Sequence, residues 1–387
     1  MKILLLTDGV QPYRKGGMPR QAFHLSKNLP LAGADLVVMH CVPEGEPLIL
    51  KEEFQTLIFP DNKGNVEGIC IEFPKNHKFP GHYIYESKLY SKWAYEKIKS
   101  RLHEFDFIYS KGFTGYYFLK KKDKAMPPIF VQLHGLEMFQ PTWDWKSKLA
   151  NWSLRPLAKY CLRNADFVFS YAGEIEKKTV EIGVDPKRIY NQYGCVPQEK
   201  IIANIRKTNN IVKFVFIPRN ERRKGIPEFH QAIKDLLLSE NKFQVDIIGP
   251  IPDEYRILNN KLIYHGQIDS EEKYYEIVAS CDVVILPSIS EGFPLVILEA
   301  MAKGLTTIAN DVGAVSVLVN VENGWLISPT VRDLSDTIQK VIHTPRFEID
   351  QKKKNALESV KGRFVWPIQC ASILEKAKQA ILYGKKT

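Results

Sequence analysis

Two carboxylates, Glu291 and Glu299, stand eight positions apart in Ser290-Glu-Gly-Phe-Pro-Leu-Val-Ile-Leu-Glu299, with Ala300-Met-Ala-Lys-Gly304 directly behind them. At 3.6 residues per turn that spacing is about two helical turns, so the pair can serve two ends of one ligand. Between them, Gly292-Phe293-Pro294-Leu295 leads into a helix, whose first N–H groups lack intrahelical partners and favour a phosphate. One carboxylate is suited to sugar hydroxyls beside that phosphate and the other to a ribose. Together these residue types describe a site for a sugar nucleotide.

The elements needed to position such a site are visible around it. Asp282-Val-Val-Ile-Leu-Pro287 reads as a buried parallel strand, and Pro294 as the first-turn proline of the helix that follows. Short apolar runs alternate with helical patterns from end to end, which predicts parallel sheets covered by helices. Candidate strands in the first half are Ile3–Leu6, Leu36–His40, Phe107–Ser110, Ile129–Leu133, Phe167–Tyr171 and Arg188–Asn191. A polar break over 198–211 reads as a linker, after which Val212–Ile217, Gln244–Ile248, Lys261–Tyr264, Asp282–Leu286 and Thr306–Ala309 continue the pattern. Two doubly wound α/β domains result, with ligands expected beyond the C-terminal strand ends.

Composition sets the outer limits. A chain of 387 residues is long for one core, and 44% hydrophobic with 25% charged residues is ordinary for a soluble protein. Six scattered cysteines, without a Cys-x-x-Cys pair, suggest neither a zinc site nor a disulfide framework, which makes a reducing cytoplasm the expectation. The opening Met1-Lys-Ile-Leu-Leu-Leu-Thr-Asp8 is too short in apolar residues for a signal peptide, and no run approaches a membrane span. A net charge of +10 calls for an acidic partner: phosphate, anionic lipid or nucleic acid.

The flanking Pro287-Ser288, the Gly-Phe-Pro and the Glu-Ala-Met-Ala-Lys-Gly make the segment resemble the Glu-x7-Glu signature of retaining glycosyltransferases of the GT-B fold, particularly family 4. That resemblance implies two Rossmann-like domains facing a central cleft. Residues 1–200 would bind the acceptor and 211–365 the nucleotide sugar, and a closing helix, about 366–387, would pack back on the first domain. It implies that Glu291 orients the donor sugar and Glu299 the ribose, neither acting as a nucleophile.

In Pro218-Arg-Asn-Glu-Arg-Arg-Lys-Gly225, Arg219 and Lys224 match the family's Arg and Lys, which neutralise the leaving diphosphate; preplaced cations stabilise charge that develops as a sugar–oxygen bond breaks. The loop ending in Gly16-Gly17 resembles the family's Gly-Gly loop, where backbone approaches an anion closely. His134, before Gly135, matches a histidine near the donor sugar's 6-hydroxyl, and Gly266-Gln-Ile268 resembles a segment contacting the base. Departures at Pro218, Asn220, Ala314, Ser316, Val317 and Tyr193-Gly-Cys-Val196 leave the base and sugar open, with UDP- or GDP-sugar as the leading donors.

The family further implies hexosyl transfer with retention, by front-face attack assisted by the leaving phosphate, and no metal or other cofactor. Its frequent acceptors are bacterial surface polysaccharides and lipid-linked glycans. Trp143, Trp145 and Trp152 interleave with Lys146, Lys148, Arg155 and Lys159. Lys75, Lys78, Lys88, Lys92, Lys97, Lys99 and Arg101 lie among Tyr83, Tyr85, Tyr90, Trp93 and Tyr95, and Lys120-Lys-Lys-Asp-Lys124 follows. Such mixtures suit an anionic membrane surface, on the inner face if the protein is cytoplasmic, and equally suit solvated helix faces over an aromatic core. No nucleic-acid module is visible. A transferase for a soluble small acceptor, a sugar-nucleotide epimerase of the same fold and a noncatalytic sugar-nucleotide binder remain as alternatives.

Overall fold

The computed structural model describes residues 1–61, 63–74, 81–142 and 145–384, the side chains of 383 and 384 excepted. Lys75, Lys78 and Trp143 of the basic–aromatic pattern lie outside the described residues. Over those residues the chain forms two compact units: 1–139, 145–193 and 366–384 make the first, and 140–142 with 194–365 the second.

The first unit is built on β1 (Lys2–Leu6), β2 (Asp35–Val42), β3 (Val66–Glu72), β4 (Phe107–Lys111), β5 (Ile129–Gln132), β6 (Phe167–Ser170) and β7 (Ile189–Asn191). They form a seven-stranded sheet in the order β3-β2-β1-β4-β5-β6-β7, parallel throughout. The second carries β8 (Val212–Phe216), β9 (Phe243–Ile248), β10 (Leu262–Gly266), β11 (Val283–Leu286), β12 (Thr306–Asn310) and β13 (Gly324–Ile327), parallel in the order β10-β9-β8-β11-β12-β13. Apolar residues fill the central strands β1, β8 and β11 because helices cover both faces. The strand order reverses between β1 and β4 in one sheet and between β8 and β11 in the other. Loops leaving those four strands therefore border the two positions where doubly wound sheets bind ligands.

Two strands escape the sequence pattern. β3 contains Gly68, where an added Cβ would lie 2.5 Å from Cγ of Phe54, so the missing side chain makes room for a ring. β13 starts at Gly324, directly after the polar Glu322-Asn323, which leaves only three apolar residues, Trp325-Leu326-Ile327, to mark it.

The expected linker at 198–211 is instead part of the second unit. Val196 N–H donates to the Phe364 carbonyl at 3.0 Å, and Ile202 N–H to that of Ala302 at 3.0 Å. Arg206 pairs at 2.6 Å with Asp282, a fully buried carboxylate that Lys353 also reaches at 3.0 Å. A polar stretch with few apolar residues is held down here by charge: unpaired, Asp282 would carry the cost of an uncompensated buried ion. The closing helix Trp366–Gly384 belongs to the first unit, where Trp366 stacks on His24 at 5.2 Å and Lys376 reaches the Asn191 carbonyl. Pro294 is also placed differently from the expectation: it caps the helix Leu295–Ala302 from outside, with ψ 96, rather than occupying the first turn.

Candidate functional site

In the second unit the loops after β8 and β12 are pinned against the loop after β11 by glycines that no other residue can replace without displacement. Gly225 has φ +72 and its added Cβ would fall 2.1 Å from the Pro287 carbonyl oxygen; Gly313, at φ +59, would meet the Glu291 carbonyl oxygen at 2.0 Å. Ile289 N–H donates to the Arg223 carbonyl at 2.9 Å, and Ala314 N–H to that of Gly292 at 3.0 Å. Gln140 adds a side-chain bond to the Glu291 carbonyl at 2.8 Å and meets the Ser290 hydroxyl.

This scaffold brings Lys224 and Glu291 together. Lys224 Nζ lies 2.6 Å from Glu291 Oε1, and both side chains are largely buried, at 13% and 6% exposure. Arg223 approaches the other carboxylate oxygen at 3.6 Å, while its Nε holds Glu221 at 2.6 Å. Sequence spacing pointed to Arg219 and passed over Arg223. Arg219 is 73% exposed, its nearest acid being Glu221 at 3.9 Å, so it is not gathered with Glu291. The alternation of signs in Arg219, Glu221, Arg223, Lys224 was the available signal, since acids interleaved with cations must partition them.

The helix Leu295–Ala302 begins without a side-chain cap, as does Ile226–Leu237 directly after Lys224-Gly225. Both N-termini follow strands at the switch point, and uncapped N–H groups there favour an anion. Gly292 is buried, and Phe293 and Leu295 pack against the backbone of Gly194, whose added Cβ would sit 2.8 Å and 2.7 Å from their side chains. That contact explains a glycine in the altered Tyr193-Gly-Cys-Val196. Glu299, partly buried, receives the Tyr274 hydroxyl at 3.3 Å. Ile268 packs, half-buried, against the cluster around Val215, Val278 and Ala300.

In the first unit, Gly16 (φ +134) precedes the helix Gly17–Leu31, and an added Cβ at Gly17 would meet nothing within 4 Å. The loop therefore leaves backbone open at an uncapped helix start. His134 lies two residues beyond the end of β5, in a tight turn with Gly135 and Leu136 at φ 42 and 50, a left-handed conformation costly for leucine. Its Nδ1 meets the Tyr171 hydroxyl at 2.7 Å, and that oxygen accepts from Gln21 at 3.5 Å. Nε2 is buried with no hydrogen-bond partner among the described residues. Burial, helped by the neighbouring Lys111 charge, holds the imidazole pKa well below the usual histidine range, so the ring is neutral.

Among the described residues no group of three or more His, Cys, Asp or Glu converges as a metal ligand set, no helix is long and apolar enough to cross a membrane, and the six cysteines form no disulfide. The basic–aromatic pattern divides. Trp145 and Trp152 are 71% and 65% exposed, whereas Tyr90 is core and Tyr95 packs edge-on against Tyr117 and Phe118.

Comparison with known proteins gives two family matches, Glycosyltransferase Family 4 over residues 15–200 and Glycosyl transferases group 1 over 197–358. The chain is similar to N,N'-diacetylbacillosaminyl-diphospho-undecaprenol alpha-1,3-N-acetylgalactosaminyltransferase of Campylobacter jejuni, 23% identical over 278 residues, covering 66% of this chain and 73% of that protein. Among solved structures, sucrose-phosphate synthase from Thermosynechococcus elongatus aligns with a TM-score of 0.74 at 18% identity, over 99% of each chain. Anabaena HepE in complex with UDP and glucose aligns at 0.65 and 19%, over 98% of this chain and 100% of that one. At these identities the structural likeness establishes the fold, GT-B.

Proposed function

Because the chain belongs to the family 4 type of GT-B glycosyltransferases, we propose that it transfers a hexosyl group, with retention, from a nucleoside diphosphate sugar to a hydroxyl of a surface or lipid-linked glycan. The observation that carries the reading is the junction of the β8 and β11 loops, where Lys224 and Arg223 meet Glu291 beside two uncapped helix N-termini. A diphosphate needs cations and N–H donors, and a pyranose beside it needs an acceptor for its hydroxyls. Lys224 and the helix starts take the phosphates, and Glu291 takes the sugar hydroxyls. Arg219, long and exposed, closes onto the diphosphate from solvent.

Glu299 holds the ribose and Ile268 lies against the base. Charge that grows on the leaving diphosphate is met by these fixed groups without a metal ion. No carboxylate is assigned as nucleophile: the departing phosphate oxygen takes the acceptor's proton as attack occurs on the same face. UDP is the first nucleotide to test, given the UDP and glucose bound by HepE; a lipid diphosphate-linked acceptor is suggested by the Campylobacter jejuni relative. The exposed Trp145 and Trp152, with Lys146 and Lys148 between and beside them, fit an acceptor presented at an anionic membrane surface.

A melting-temperature panel of UDP-, GDP-, ADP- and CMP-sugars, with and without EDTA, tests the reading, because a ligand of the native state raises the midpoint. We expect one nucleotide to shift it, in EDTA as well, and the shift to shrink in Arg219→Ala. No shift from any sugar nucleotide would defeat the proposal.

A further inference from the structure

In the second unit a charged side chain stands inside a strand where neither phosphate nor ribose contacts explain it. β9 reads Phe243-Gln-Val-Asp-Ile-Ile248, and Asp246 is its one charged residue, the side chain only 6% exposed. A carboxylate removed from water in mid-strand is costly unless partners complete it. Gln244 Nε2 donates to Oδ2 at 2.8 Å, and His265 Nε2 lies 2.7 Å from Oδ1. The Cys281 thiol, kept neutral by burial that pushes it up to about 12, abuts Oδ2 at 3.8 Å.

His265 sits where the neighbouring edge strand breaks register. β10 sets Tyr264 level with Ile247 but Gly266 level with Ile248, so one extra residue is accommodated on β10. Gly266 takes φ +64, where an added Cβ would meet nothing within 4 Å; the backbone conformation, not the space, calls for glycine. Its carbonyl accepts from the Gly249 N–H at 2.8 Å. A one-residue slip transfers the side chains beyond it to the opposite face of a sheet. The packing follows that rule. Leu262 and Tyr264 pack with the cluster around Phe229, Val245 and Ile247, whereas Ile268, an even number of positions further on, packs with Val278 and Ala300 on the face to which Val215 and Val284 alternate.

We propose that Asp246 and His265 are positioning residues for the nucleoside end of the donor: the carboxylate holds the slipped residue, and the slip puts Ile268 where the base lies against it. The inference deepens the donor reading and rests on Ile268 contacting the base. Neither side chain touches the ligand; both act through Gly266-Gln267-Ile268, which leaves the Lys224–Glu291 junction to the phosphates and the sugar.

His265 is the residue to vary, being 21% exposed on the edge strand where Asp246 is buried. The test is calorimetric titration of UDP, GDP and ADP into the full chain as wild type, His265→Leu and His265→Gln. The wild type should prefer one nucleotide. In His265→Leu, which keeps bulk but loses the bond to Asp246, affinity for that nucleotide should fall about tenfold, toward those of the other two. His265→Gln, whose amide can donate to the same carboxylate, should restore the preference. Lys224→Ala, by contrast, should weaken all three alike and leave the preference standing. If His265 serves only stability, His265→Leu will lower the midpoint of unfolding without changing the ratio of affinities. That result, or a wild type that binds all three equally, would overturn the inference and leave the donor reading intact; a wild type that binds none of them would overturn both.

Discussion

The two units handle charge in opposite ways. In the second, Lys224, Arg223, Glu221 and Glu291 neutralise one another at separations of 2.6 to 3.6 Å, with Arg219 left in solvent. In the first, Asp8, Lys111 and His134 are withdrawn from water, and Asp8 Oδ1 and His134 Nε2 have no hydrogen-bond partner among the described residues. Burial pushes the Asp8 carboxyl above the usual range, opposed by Arg14, and pushes the Lys111 ammonium down to about 7. The contrast teaches what each site is prepared for. Internally paired ions keep their charge at little cost, whereas desolvated groups are pushed toward their neutral forms.

The sharpest way to break that contrast is Lys224→Ala. If Lys224 meets charge that develops on the diphosphate, kcat/KM should fall by about 10²–10³-fold in a steady-state assay of nucleotide release. A change below a few-fold would mean the Lys224–Glu291 pair is structural.

The counterpart in the first unit is Lys111→Met, read as stability against pH. The folded lysine loses its proton near 7 and the unfolded one near 10.5, so between those values the unfolded chain binds the extra proton and wild-type stability rises with pH. Unfolding free energies should therefore shift toward the wild type, relative to Lys111→Met, on the order of 3 kcal/mol from pH 7 to 10. A pH-independent gap would mean the ammonium is hydrated.

Backbone substitutions sharpen the difference further. Gly225→Ala, at φ +72 and against the Pro287 carbonyl, should cost about 3 kcal/mol in denaturant unfolding. Glu299→Ala should raise donor KM about tenfold while leaving kcat near the wild type, as loss of a ground-state contact does. The smallest effect belongs to Gly17→Ala, where nothing lies within 4 Å: stability should move by under about 1 kcal/mol while donor affinity falls, separating a ligand-approach glycine from a folding glycine.

Legibility in the sequence follows the same division. Lys224 and Glu291 were readable as neighbours because each lies in a loop directly behind a buried strand. Asp8 and Lys111 were not, since 103 positions separate them and Lys111 in Ser110-Lys111-Gly112 looks like any surface lysine until β4 carries it beneath Gln21 and Gln132. Arg223 was missed because spacing alone cannot tell which cation of a basic turn an interleaved glutamate will claim. β3 was missed for a related reason: Gly68 interrupts the strand at a place where the Phe54 ring fills the space.

Calorimetric titration of UDP and GDP, in EDTA, into the wild type and Lys224→Ala tests the central claim most directly, that the paired cations of the second unit are a diphosphate site. The account predicts that one nucleotide binds the wild type without metal, that affinity drops about tenfold or more in the variant, and that binding weakens with added salt. Equal affinities in the two proteins, or binding restored only by a divalent ion, would contradict it.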